Sequence, residues 1–378
     1  MQLAKLSFLL LEIFGIWRPI EWHGVKAWFY DCYTTIMLSI FFTMSTTQLI
    51  ELIRSLNDAE KFINDGLFVM TIVTACVKCA NIIFKRTQII ALDKTLKKYP
   101  FAPEDEEEIL IKKKSNDLIQ WIALIYGISV YVSLTTMTVR SFLVDTPKHA
   151  FPFSAWLPYN CDSGFAYWIT FICQHIADIM AATVDIGSGS MLSACMLQAC
   201  AQIKIVLHRL KKLCLDVEKI KINEGYIIEQ CIKHHLDTIN FAEKVNGIFT
   251  YSIMLQYSVS SVIICACIFQ LSHVPIFSSA FTSIGLYLGC MLLQIFNLCF
   301  FGTVISHQSA EMCSNLYDLD WTSLSILGQK SLFTMMVRAS KPIRFSSGYI
   351  FVLSLESFTS LLKLSYSTYN LLQHTSQS

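Results

Sequence analysis

Charge is scarce in this chain. Asp, Glu, Lys and Arg together make 15% of the residues, against about 25% in ordinary soluble domains, and none of them stands between Val245 and Ala310. A stretch that long cannot coat a globule in water, which excludes a soluble enzyme with a membrane tail. No run of Lys and Arg is interleaved with aromatics and the net charge is +1, so nucleic-acid binding is set aside. HExxH and every other cluster of metal-ligand spacing are missing, and no catalytic constellation is found. The sequence therefore predicts no enzyme, no cofactor and no metal. The asparagines form no N-x-Ser/Thr acceptor site. Nor does any internal or inverted repeat appear, which counts against a transporter built from duplicated halves. The 14 cysteines do not form a disulfide framework. Cys76 and Cys79 read as CxxC but lie beside Ile and Val in an apolar run, where small thiols pack. Cys161 alone falls clearly in an outer loop.

What the chain has is apolar length. Hydrophobic residues make 54% of it, and about 18 to 20 predominantly apolar residues cross a bilayer core as a helix. The windows that fit are 29–50, 67–84, 118–142, 164–186, 248–272, 277–305 and 346–372. The reading is an all-α membrane protein with seven transmembrane helices. Of the 29 basic residues, 23 fall in the N-terminal segment and the second, fourth and sixth connections. The opposite connections hold Arg54, Lys61 and Lys148, with Arg140 at a span edge. Lys and Arg collect on the cytoplasmic side, so the N-terminus is expected in the cytosol and the C-terminus outside. That orientation is opposite to a G-protein-coupled receptor. Within Met1–Trp17 the short run Phe8–Leu11 is broken by Glu12 and lacks a small-residue cleavage site. It reads as an amphipathic helix at the inner surface rather than a secretory signal.

The connections carry further signals. The outer loop 143–163 is punctuated by Pro147, Pro152 and Pro158 and rich in aromatics, which excludes strand or helix. It reads either as a cap over a cavity between span ends or as a surface loop anchored by Trp156. The fourth span's pattern continues to about residue 215, predicting one helix of roughly 75 Å that projects far beyond the bilayer. Residues 222–246 are likewise amphipathic, and together these segments predict a cytosolic helical anchor layer. The acidic run Glu104–Glu108 followed by Lys112–Lys114 reads as a solvated, charge-paired helix. Gly285 and Gly289 form GxxxG, and Gly187-Ser-Gly189-Ser190 adds a second small-residue stretch; each suits close helix packing, fixed or moving. The expected division is a cytosolic N-terminal segment over 1–27, transmembrane helices one to six over 28–305, an anchor segment over 306–342, and the last helix with a short tail over 343–378.

Lys78, His175, Asp178, Glu356 and Lys363 are ionisable groups inside spans, costly in hydrocarbon and so expected to face protein or water. The outer halves of spans two to six are rich in aromatic and small hydroxyl side chains: Phe68, Thr71, Tyr131, Thr135, Thr138, Trp168, Ile172, Val262, Phe269 and Phe281. Joined by His175, they are the candidate lining of a mostly apolar cavity for a small, uncharged, lipophilic ligand. Core packing is the alternative reading for each alone. The last span has unusually many polar groups near its outer end, from Ser365 to Gln373. Such a helix either lines an aqueous pore around a symmetry axis or frays into outer water. Ser365, Tyr369, Leu372 and Gln373 are the candidate pore residues.

The C-terminal residues Tyr317-Asp-Leu-Asp-Trp321, Lys330-Ser-Leu, Lys341-Pro342, Ser347-Gly348, Glu356-Ser-Phe358 and Ser365-Tyr-Ser-Thr-Tyr369 resemble insect odorant receptors. Cys200-Ala-Gln-Ile203 with Leu207-His-Arg-Leu210 is similar to that family's fourth-helix extension, although Gln198 stands where many members carry His. The resemblance implies a ligand-gated, non-selective cation channel whose pore is lined by the end of the last helix. It implies a plasma-membrane heterotetramer with the odorant-receptor coreceptor, in an olfactory neuron dendrite. The chain lacks the coreceptor's long insertion in the fourth connection, so it looks like a ligand-specific tuning subunit. A gustatory-type channel and a non-channel inverted receptor or transporter remain the alternatives.

Overall fold

A computed structural model gives the fold and describes residues 5–148, 150–159, 164–215, 217–276, 278–347 and 351–377; for 59, 60, 64, 145, 148, 217–222 and 371–377 it describes the backbone alone. Among the described residues the chain is almost wholly helical. The elements are α1 (Lys5–Ile13), α2 (Val25–Arg54), α3 (Ala59–Phe84), α4 (Arg86–Thr95), α5 (Glu106–Arg140), α6 (Phe165–Leu215), α7 (Val217–His273), α8 (Ser279–Tyr317), α9 (Ile326–Ala339) and α10 (Leu355–Gln377). Two short strands, β1 (Ser346–Ser347) and β2 (Phe351–Val352), pair antiparallel just before α10. Among the described residues six helices, α2, α3, α5, α6, α7 and α8, are long and apolar enough to cross a membrane.

The last helix differs from its window. Ser346–Ser347 and Phe351–Val352 form the strand pair, so α10 starts at Leu355 and has 23 residues, among them Glu356 and Lys363. It is the seventh long helix and the most polar of the long ones. The expected anchor boundary at 305/306 lies within α8, which runs unbroken to Tyr317.

Helix starts follow the local chemistry. The side chains of Asp58, Asp105, Ser278 and Ser325 accept from the backbone N–H three residues on, capping α3, α5, α8 and α9 and satisfying donors that the helix leaves open. At α5 the Glu108 carboxylate also reaches back, accepting from the N–H of Glu104, one residue before the cap, at 2.8 Å.

The 51-residue α6 is the mast of the bundle, about 75 Å long. It packs against α1, α2, α3, α5, α7 and α8, and 89% of its most apolar window is buried. Small residues permit this: an added Cβ at Gly187 meets the Leu11 side chain at 2.9 Å. Leu11 and Phe8 are buried, so α1 docks its apolar face on α6 rather than only on the membrane surface. By contrast, nothing among the described residues stands within 4 Å of an added Cβ at Gly285 or Gly289, so neither glycine is needed for close helix packing there. The described cysteines are free thiols; Cys79 is fully buried, and the Cys76 thiol donates to Ser45 Oγ at 3.4 Å. Cys161 lies outside the described residues.

Two apolar cores result. The larger runs along α1 to α8 and reaches Leu361 of α10. The smaller joins Ile203, Leu210 and Leu213 of α6 to Ile228 of α7, Met312 of α8 and Leu332 and Met335 of α9.

Candidate functional site

The side chains of α3, α5, α6 and α8 do not close completely against one another. They leave an inner chamber of about 100 Å³, lined by Phe68, Thr71 and Ile72 of α3, Tyr126, Val130, Ser133, Leu134 and Met137 of α5, Asp178, Ala181 and Asp185 of α6, and Tyr287, Met291 and Gln294 of α8. A larger outer chamber of about 350 Å³ adjoins it, with Thr138, Arg140, Ser141, His175, Gln270, Val274 and Ser283 in its wall. Phe68, Leu134, Met137, Phe153 and Asp178 line both, and so form the neck between them.

The loop 143–163 contributes to closing the neck. Phe153 reaches down to an edge contact with Phe68, ring centroids 5.2 Å apart. Its backbone is held there: the Phe153 carbonyl accepts from Gln174 Nε2 at 3.1 Å, and the Ala150 carbonyl accepts from the Tyr167 hydroxyl at 2.9 Å. Further along, the Trp156 N–H donates to the Thr47 carbonyl at 3.1 Å while Arg54 lies 5.4 Å from the Trp156 ring centre. The loop is thus both cap and anchor. It is not wholly irregular, since a single π-turn and a 3-10 turn extend α5 through 141–148.

Beneath the inner chamber lies a polar floor. Lys78 of α3 donates to Asp185 Oδ1 of α6 at 2.6 Å, with both side chains under 10% exposed. It also donates to the Gln256 side-chain carbonyl of α7. Gln256 Nε2 in turn donates to Ser260 Oγ at 2.6 Å and to Gln294 Oε1 of α8 at 3.0 Å. One lysine therefore ties four helices together beneath the chamber. The next residue on α7, Tyr257, donates from its hydroxyl to the Ser357 carbonyl of α10 at 2.7 Å. Higher up, the hydroxyls of Thr71 and Tyr287 hydrogen-bond to each other across α3 and α8.

Four of the eleven candidate lining residues reach these chambers: Phe68, Thr71, Thr138 and His175. The other seven stand elsewhere. Tyr131 bonds Thr183 Oγ1 at 2.9 Å between α5 and α6. Thr135, Ile172 and Val262 are exposed on the outside of the bundle. Trp168, also exposed, joins an aromatic cluster with Phe142, Tyr167 and Phe171. Phe269 makes a tilted ring contact with His273, and Phe281 takes its place beside the α8 cap. Asp185, Gln256 and Gln294 were not among the candidates, although polar side chains in apolar spans are the signal that marks them.

On α10, Glu356, Thr359, Ser360, Lys363, Leu364, Tyr366 and Ser367 are exposed, all but Leu364 polar. Ser365 turns the other way: it is buried and donates to the Ser261 carbonyl of α7 at 3.4 Å and the Leu361 carbonyl at 3.0 Å. Tyr369 is half-buried. Leu372 and Gln373 fall where side chains lie outside the described residues.

The far end of the bundle holds a second polar cluster. Arg209 of α6 makes a two-pronged pair with the buried Glu108 carboxylate, at 2.7 and 2.8 Å, and also donates to the carbonyls of Pro100 and Ala102. Within the acidic run Glu108 is therefore a docking latch that points inward to meet Arg209, while Glu104, Glu106 and Glu107 stay exposed. Asp105 is held by Lys212 at 2.8 Å and His208 at 3.0 Å. The Lys212 ammonium, then the Glu108 backbone N–H, keep its carboxyl well below the usual range. A carboxyl so depressed contributes its full share of stability above its ordinary value near 3.8 and loses it only as pH falls further. The donor atoms of Asp105, Glu108 and His208 lie within 4.8 Å of one another, but both carboxylates are already engaged by Arg209 and Lys212. Arg209→Lys keeps the charge but not the fork. It is expected to lower the thermal midpoint of the purified protein by an amount equivalent to about 2 kcal/mol, and an unchanged midpoint would show that the latch is idle.

A family model described as 7tm Odorant receptor matches residues 58–366. The chain belongs to the odorant receptor family. Odorant receptor Or1 of Anopheles gambiae is 26% identical over 402 aligned positions, covering 97% of this receptor and 94% of its own length. Odorant receptor 85c of Drosophila melanogaster is 21% identical, covering 80% and 79%. Among solved structures, the insect olfactory receptor OR5 of Machilis hrabei in complex with eugenol superposes with a TM-score of 0.85, covering 98% of this receptor and 97% of that chain at 17% identity. The receptor thus shares that fold from end to end and is a multi-pass membrane protein, not an enzyme.

Proposed function

We propose that this receptor is the ligand-binding subunit of an odorant-gated, non-selective cation channel. The observation that carries the reading is the mostly apolar pair of adjoining chambers capped by a tethered loop and floored by the Lys78 cluster. Phe68, Thr71, Thr138 and His175 are the ligand contacts proposed from the candidate list. A small lipophilic volatile there gates a pore only if it binds the open arrangement more tightly than the closed one. The floor offers a route for that difference, since Gln256 on α7 is followed by Tyr257, which grips the start of α10.

The pore is assigned to α10. Its exposed polar face, unsuited to lipid, fits a water-filled axis shared among subunits, with Tyr369, Leu372 and Gln373 near its outer end. The partner proposed is the odorant-receptor coreceptor, in a heterotetramer. The basic-residue count supports a cytosolic N-terminus, with the Arg209 latch and α9 in the proposed anchor layer. The site of action proposed is the dendritic plasma membrane of an olfactory sensory neuron.

The test is patch-clamp recording of the receptor with and without a coreceptor against a panel of volatile lipophilic compounds. Current evoked only with the coreceptor is the expected result, and Tyr369→Ala is expected to alter ion permeation while leaving ligand rank order intact. Robust current from this chain alone would overturn the tuning-subunit assignment. Silence in both, at normal surface levels, would overturn the channel reading.

A further inference from the structure

The neck between the chambers holds an acid with a spare oxygen. Asp178 is 6% exposed and lines both chambers, and its Oδ2 has no hydrogen-bond partner among the described residues. His175, one turn earlier on α6, lines the outer chamber with an Nε2 that is likewise unpartnered. The two residues are three apart and so share one face of the helix. The His175 ring is set by an edge contact with Phe171, centroids 4.6 Å apart. Among the described residues no cation pairs with Asp178: Lys78 is given to Asp185 and Gln256, and Arg140, also in the outer chamber wall, makes no ion pair with it. A buried polar atom without a partner is expensive, and native proteins keep few of them.

We infer that Asp178 and His175 recognise a hydroxyl group, so that the receptor is tuned to lipophilic alcohols or phenols rather than to ethers or hydrocarbons of the same skeleton. The inference rests on the reading of the chambers as the ligand site. A hydroxyl carries one donor and two acceptor lone pairs. It therefore satisfies the acid in either protonation state and leaves capacity for the imidazole nitrogen beside it. An ether oxygen only accepts, and a hydrocarbon does neither. A protonated amine suits only the ionised acid and brings its own desolvation cost into an apolar cavity. The rest of the lining matches an apolar body, with Phe68, Phe153 and Tyr287 giving ring faces around the neck.

The experiment records currents from the receptor with its coreceptor against matched triads: an alcohol or phenol, its O-methyl ether and the parent hydrocarbon. The hydroxyl member is expected to activate at a concentration at least about tenfold lower than either analogue. Asp178→Leu removes the unpartnered acid without opening a large void, so the variant is expected to reach the surface normally. In it the preference should shrink to within about threefold, with the hydrocarbon gaining. His175→Phe should weaken the preference partially. Met137→Trp, which fills the neck, tests the underlying site: every member of a triad should lose potency together. If Met137→Trp moves the whole triad but the wild type does not favour the hydroxyl member, the hydroxyl inference falls while the chamber stands. If Met137→Trp leaves every response unchanged, the chamber reading falls and takes the inference with it. Wild-type silence to every hydroxyl compound, or activation by protonated amines abolished in Asp178→Leu, also overturns it.

Discussion

Replacing Lys78 with methionine is expected to remove most of the folded receptor from the cell surface. The ammonium sits among α3, α6, α7 and α8, pairs with Asp185 at 2.6 Å and is 4% exposed. Taking it away strands a buried carboxylate, and loss of one partner from such a pair typically costs about 3–5 kcal/mol, a large part of the stability of most folds. The Gln256 carbonyl loses its donor at the same time. The test is the double variant. Lys78→Met with Asp185→Leu removes both charges and replaces them with apolar groups of similar bulk, which is often neutral. Surface level should fall sharply in either single variant and recover substantially in the pair, a coupling that a double-mutant cycle reads directly. Additive losses in the double variant would mean that the two residues act separately. Because Asp185 also lines the inner chamber, the rescued receptor should show altered ligand potency as well.

Valine at position 302 should silence the receptor without unfolding it. Gly302 of α8 faces the segment that leads into α10, and an added Cβ would fall on the Leu353 carbonyl and within 2.9 Å of its carbonyl carbon. The neighbouring Thr303 Oγ1 accepts from the Leu355 N–H at 2.9 Å, and Leu353 N donates to Phe345 at 2.9 Å. This short stretch is thus clamped on α8 where α10 begins. Overpacking of this sort costs about 1–3 kcal/mol, enough to displace a local seat but not the whole bundle. Evoked current is expected to fall at least about tenfold at matched surface expression, with Gly302→Ala intermediate. Wild-type current from Gly302→Val would show that the seat of α10 is not needed for opening.

The long apolar runs make the helices legible in the sequence, including the extension of α6 to about residue 215 and the turn at His273-Val-Pro275. The rotation of each helix about its axis is not. In water an apolar stripe marks the buried face, but lipid is as apolar as the protein interior, so Thr135, Ile172 and Val262 look the same in sequence as residues that face the chamber. Depth could be read and direction could not. Lys78 stood out as a costly charge. Its partner is 107 residues away on another helix, and nothing in spacing joins them. Glu108 misled for the opposite reason: an acid in a charged run looks solvated unless the arginine that turns it inward is known.

The unbroken length of α6 sets a rule for how such a receptor can change. Inserting or deleting one residue between Phe165 and Leu215 turns everything beyond it by about 100° and shifts it by about 1.5 Å. Arg209 would swing away from Glu108, and Ile203, Leu210 and Leu213 would leave their core. The loop over the chamber can lengthen or shorten between its tethers, whereas the mast tolerates new side chains but no new register. The lining of the chambers is thus free to drift by exchange of one side chain for another, and any lineage that alters the residue count of α6 must rebuild the opposite end of the molecule in the same step.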